Sequence, residues 1–103
     1  MFKTFAACLT WATTVVAVPA HIVSIETVTA SQCSGVFDPF EGELYYWIID
    51  RTTGKTLYEG VPGRSHPDFW FVYPAIPQGT QARFVVRNTV GDLSVTDTYD
   101  KDF

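Results

Sequence analysis

Turn chemistry recurs too often along this chain for it to build anything but short extended segments. From residue 29 onward, Asp38-Pro39, Glu41-Gly42, Gly54, Gly60, Pro62-Gly63, Pro67, Pro74, Pro77, Gly79 and Gly91-Asp92 leave short uninterrupted runs. Short strands at roughly 8 to 12 residue spacing, with turn signals between them, are the pattern of a β-sandwich. The runs between them are rich in β-branched and aromatic residues, which fit a pleated sheet. Beyond the first 20 residues no segment has helical periodicity.

The densest run is 43–50, Glu43-Leu-Tyr-Tyr-Trp-Ile-Ile-Asp50, too short for a buried helix and charged at both ends. A tight-turn sequence, 51–54, follows it, and then a second extended piece, 55–59. Together these predict a β-hairpin. With a four-residue loop, Asp50 faces Lys55, Trp47 falls opposite Tyr58 and Ile48 opposite Leu57. Further strands are expected over 21–28, 33–37, 68–73, 80–88 and 93–99, about seven in all. In 80–88 the alternation is clearest, with Ala82, Phe84 and Val86 on one side and Arg83, Val85 and Arg87 on the other. Leu93 and Val95 are expected to point inward, and the tail 100–103 to fray. Residues 60–67 read as a loop.

The first 20 residues read as a signal peptide. Lys3 supplies the positive charge, 5–18 is uncharged and apolar or small, and Val18-Pro19-Ala20 ends the run with small residues. The stretch is shorter than the roughly 18 to 20 residues of a membrane span. Cleavage after Ala20 leaves one domain over 21–103, beginning at His21; cleavage after Ala17 starts the chain at Val18. Without Lys3, six basic residues stand against 11 acidic ones, a net charge near −5. That balance argues against nucleic acid and against anionic membrane surfaces as partners. An 83-residue domain is near the lower end of what one core supports, and Cys33 is its one thiol. Cys33 is either a buried small hydrophobe or half of an intermolecular bond.

Three groups of residues carry a resemblance. Cys33 precedes Trp47 by a spacing similar to that between the second-strand cysteine and third-strand tryptophan of immunoglobulin domains. Ile76-Pro-Gln-Gly-Thr80, then Phe84-Val-Val86 and Asn88-Thr-Val-Gly91, is similar to the late strands of fibronectin type III domains. Together with Gln32-Cys33 and Phe69-Trp-Phe71, they resemble small secreted Ig-like proteins of basidiomycete fungi, relatives of the Ser/Thr-rich cell-wall proteins. The resemblance implies an Ig-like or fibronectin III-like antiparallel sandwich and an extracellular, wall-associated place; it brings no catalytic site. Two departures from it are the missing partner for Cys33 and the missing Ser/Thr-rich tail.

Nucleophile motifs are absent: no Gly-x-Ser-x-Gly occurs, and Ser65-His66 are merely adjacent. Glu41 and Glu43 flank a glycine and keep an edge soluble. No glycine loop leads into a helix that would hold phosphate. The chain therefore reads as no enzyme, with no cofactor, and three roles are weighed. In the first, Leu44, Tyr45, Tyr46, Trp47, Ile48 and Ile49 are apolar on both faces of their strand. With Tyr45, Trp47 and Ile49 toward the core, Leu44, Tyr46 and Ile48 remain outside, where they either bind a polysaccharide or are covered by another part of the chain. In the second, a mature N-terminal His21, with His66 and nearby Asp68, forms a copper site similar to the histidine brace of lytic polysaccharide monooxygenases. In the third, the chain is an effector that engages an extracellular protein.

Overall fold

The computed structural model describes residues 22–103, and the signal peptide read over 1–20 lies outside the described residues. The described residues form eight strands: β1 (Ile22–Val28), β2 (Gln32–Asp38), β3 (Glu43–Asp50), β4 (Thr56–Gly60), β5 (Gly63–Ser65), β6 (Asp68–Val72), β7 (Gln81–Val90) and β8 (Leu93–Asp102). They pair antiparallel in two four-stranded sheets, β1-β2-β6-β5 and β4-β3-β7-β8. This is the immunoglobulin-like sandwich order, with an extra strand beside the third one. The eighth strand is β5, in the segment read as a loop: Gly63, Arg64 and Ser65 pair with Trp70, Phe69 and Asp68.

The core lies between the sheets. Val23 and Ile25 of β1, Cys33 and Phe37 of β2, and Phe69 and Phe71 of β6 face Leu44 and Ile48 of β3 and Ala82, Phe84 and Val86 of β7. Cys33 is a free, buried thiol, and burial pushes its pKa up to about 12. The rings pack in a chain across the interior: Phe69 stacks on Phe71, Phe71 leans on Tyr73, and Tyr73 on Phe84. The Tyr73 hydroxyl, whose pKa burial raises, donates to the Thr29 carbonyl at 2.7 Å. That bond satisfies the one polar atom of a buried ring.

Gly35 lets the β1–β2 pair approach the core closely. A Cβ there would run into the Ser24 carbonyl and lie 2.7 Å from the Phe69 ring. Across the sandwich, Asn88 ends the inward row of β7. Its Nδ2 donates to the carbonyls of Glu41 and Glu43, at 3.0 and 2.8 Å, tying the β2–β3 connection to β7. Its Oδ1 finds no hydrogen-bond partner among the described residues.

Several expectations are corrected. The hairpin turn brings Asp50 and Lys55 together, the Asp50 N–H bonding the Lys55 carbonyl at 2.8 Å. Beyond Thr56, however, Leu57 is an extra residue. The register slips by one, so that Ile48 opposes Tyr58 and Trp47 opposes Glu59. A bulge of this kind twists an edge strand and protects it from pairing with other chains. The tail does not fray: β8 runs to Asp102, and Phe103 exchanges backbone bonds with Thr80 and Gly79 while packing edge-on to Phe84. Val95 packs against the core, but Leu93, at the turn, is exposed. Further along β8, Asp97 accepts the Ile25 N–H at 2.7 Å, so a carboxylate rather than a strand partner joins β1 to β8.

Candidate functional site

The facing of β3 is the inverse of the one expected from the immunoglobulin-like tryptophan. Leu44, Tyr46 and Ile48 point inward; Tyr45 and Trp47 lie on the outer face. Register decides this. Directly opposed residues of neighbouring strands share a face, and β3 pairs Leu44 with Asn88, Tyr46 with Val86 and Ile48 with Phe84. Because β7 buries Ala82, Phe84, Val86 and Asn88, their partners are carried inward with them. Tyr46 then stacks on Phe71 of the other sheet at 3.9 Å between centroids. Trp47 is not sealed between the layers; it is half-buried on the outside, beneath the Arg87 guanidinium at 5.2 Å.

The outer face of this sheet therefore presents a short aromatic row. The Tyr45 and Trp47 rings lie 6.5 Å apart and are tilted by 34°, and Tyr45 is 39% exposed. Val61 stands beside them, in the segment that carries the chain from β4 to β5, and is 69% exposed. Two shallow clefts share Tyr45 and Val61. One, of about 180 Å³, is completed by residues 42–44 and Arg64; the other, of about 160 Å³, by Tyr46, Trp47, Glu59 and Gly60.

The polar groups around these clefts differ in how far they are engaged. Arg64 Nη1 donates to the Gly42 carbonyl at 2.6 Å, and the guanidinium lies over the Phe40 ring. The Glu43 carboxylate accepts a long bond from the Tyr45 hydroxyl, at 3.4 Å. No ion pair among the described residues involves Glu43 or Glu59. Farther along the same face, Arg83 holds Asp100 with two hydrogen bonds, at 2.7 and 3.0 Å, and Arg51 pairs with Asp102. The hydrogen bond from Arg83 lowers the Asp100 pKa. These cations are spent on their own sheet.

The second sheet also exposes an indole. Trp70, 41% exposed, lies against Gly63, where a Cβ would come within 2.6 Å of the ring. In the sequence Gly63 reads only as half of the turn signal Pro62-Gly63, and nothing there marks it as this support.

His66 and Asp68 are exposed, the His66 ring set edge-on to Phe40 at 4.9 Å. Ile22 pairs with Asp38 and Val36 with Asp68, so the start of β1 and the His66 turn share one end of their sheet. His21, the residue expected to supply the amine and imidazole of a copper brace, lies outside the described residues. Among the described residues no group of three His, Cys, Asp or Glu side chains converges as metal ligands. Ser65 is an exposed residue at the end of β5.

The class of molecule defined by fold and face is an immunoglobulin-like β-sandwich with an aromatic outer surface. Comparison with protein-family models, with curated proteins and with solved structures finds no match to this chain.

Proposed function

We propose that this chain is a non-enzymatic binding module of the extracellular space or cell wall that holds polysaccharide against the outer face of β3. The observation that carries the reading is the pair Tyr45 and Trp47, side by side on that face with a cleft on either side of Tyr45. Sugar rings have apolar faces and a hydroxyl periphery, and aromatic side chains with polar neighbours offer the complement to both. The composition supports the same reading, since an acidic chain has no attraction for nucleic acid or anionic lipid. The fungal setting rests on the resemblance described above.

Depletion of the purified protein by swollen, amorphous chitin and β-glucan tests the proposal. The expected result is retention of the wild-type chain and about a tenfold loss of affinity, near 1.4 kcal/mol, for Tyr45→Ala. Retention that Tyr45→Ala and Trp47→Ala both leave unchanged overturns this site. Capture by an extracellular protein, with no retention on either polymer, overturns the polysaccharide reading.

A further inference from the structure

Three properties of the aromatic face narrow the kind of polymer it takes: its shape, the pairing of its clefts and the state of its charges. We infer that the ligand is a single, uncharged glycan chain laid across the ridge of Tyr45 and Val61, with one sugar in each flanking cleft; the inference rests on the polysaccharide reading above.

Shape excludes a flat surface. The Tyr45 and Trp47 rings are tilted by 34° and are not coplanar, so a crystalline polymer face cannot lie on both at once. Val61, 69% exposed, stands between the clefts and would hold such a face away from either floor. A lone chain turns successive sugars relative to one another and follows a tilted, ridged platform. The two clefts are similar in size, about 180 and 160 Å³, and share a wall. Adjacent subsites of this kind accept neighbouring units of one chain.

Charge selects among single chains. Glu43 borders one cleft and Glu59 the other, and neither is ion-paired among the described residues. The nearby guanidiniums are engaged, Arg64 with the Gly42 carbonyl and Arg87 with the Trp47 ring. The open polar positions are thus carboxylate acceptors, which complement hydroxyl donors. The two guanidiniums in the same patch offset those carboxylates, so neither an anionic nor an ammonium-bearing polymer gains net attraction.

Calorimetric titration of the purified protein with soluble oligosaccharides tests this. The probes are neutral β-glucan and N-acetylglucosamine oligomers of one to six units, galacturonate hexamer and glucosamine hexamer, with depletion on microcrystalline cellulose and chitin in parallel. The expected result is binding of a neutral series, with about a tenfold gain from one unit to two and little beyond. That affinity should be insensitive to salt and should fall about tenfold in both Tyr45→Ala and Glu59→Ala. The wild-type chain should leave crystalline polymer unbound. Binding to crystalline polymer alone, or a preference for either charged hexamer, overturns the inference and leaves the polysaccharide reading standing. Binding to none of these polymers overturns both.

Discussion

Tyr46 lies flat on Phe71 across the interior, 3.9 Å between ring centroids and 14° from parallel. The contact joins the two sheets, and the register that turns Tyr46 inward leaves its neighbours Tyr45 and Trp47 outside the core. One stacking pair therefore serves the fold and goes with an aromatic outer face.

Truncation should separate those two roles. Tyr46→Ala removes a ring from the intersheet stack and should cost about 2–4 kcal/mol. Tyr45→Ala removes a surface ring and should cost under about 1 kcal/mol. Urea denaturation of the two variants checks this, and equal losses would contradict the facing of β3.

Asn88 donates two hydrogen bonds from a fully buried position. Asn88→Leu should destabilise by about 1–3 kcal/mol, because the Glu41 and Glu43 carbonyls lose their donor. Asn88→Asp should be worse at neutral pH, since it places an anion beside two carbonyls. Its deficit against wild type should shrink toward acid pH, where the buried carboxyl is neutral. Denaturation midpoints of both variants across pH measure the difference.

The Cys33 thiol makes stability fall in alkali. Burial raises its pKa from 9.0 to about 12. The folded state thus keeps a proton that the unfolded chain releases, and stability declines as pH climbs from about 9 toward 12. Burial raises the Tyr73 and Tyr46 phenols in the same direction, so Cys33→Ala should flatten only part of the slope. A thiol reagent should label Cys33 at the rate of unfolding. Rapid native-state labelling would contradict its burial.

Asp97 secures β1 through the Ile25 N–H. Asp97→Ala should cost about 1–2 kcal/mol, a hydrogen bond to a charged acceptor being worth somewhat more than a neutral one. Amide exchange at Ile25 should accelerate more than exchange in β7, which has a strand on each side.

Gly35 and Gly63 both sit beneath aromatic rings, yet they should respond differently to a methyl group. Gly35→Ala meets backbone and the buried Phe69 ring, with an expected cost of about 3 kcal/mol or more. The nearest atoms to a methyl at Gly63 belong to the exposed Trp70 ring, which can swing away. A small stability change with altered tryptophan fluorescence is the expected outcome.

The sequence by itself determined the fold class and most of the strands. Turn residues punctuate the chain at strand intervals, and β7 alternates so sharply that its inward row is readable residue by residue. Both signals are local, carried by φ preferences and by the two-residue period of a strand. Only the tertiary structure decided which face of β3 is buried, because that strand is apolar on both sides and has no period to read. The register against β7 chose, one residue at a time. The same holds for the Leu57 bulge, the carboxylate of Asp97 and the ordered tail: each depends on a partner distant in the chain. The aromatic face was legible as a surplus of aromatic residues, and it took the pairing of strands to show that Tyr45 and Trp47, rather than Tyr46, present it to solvent.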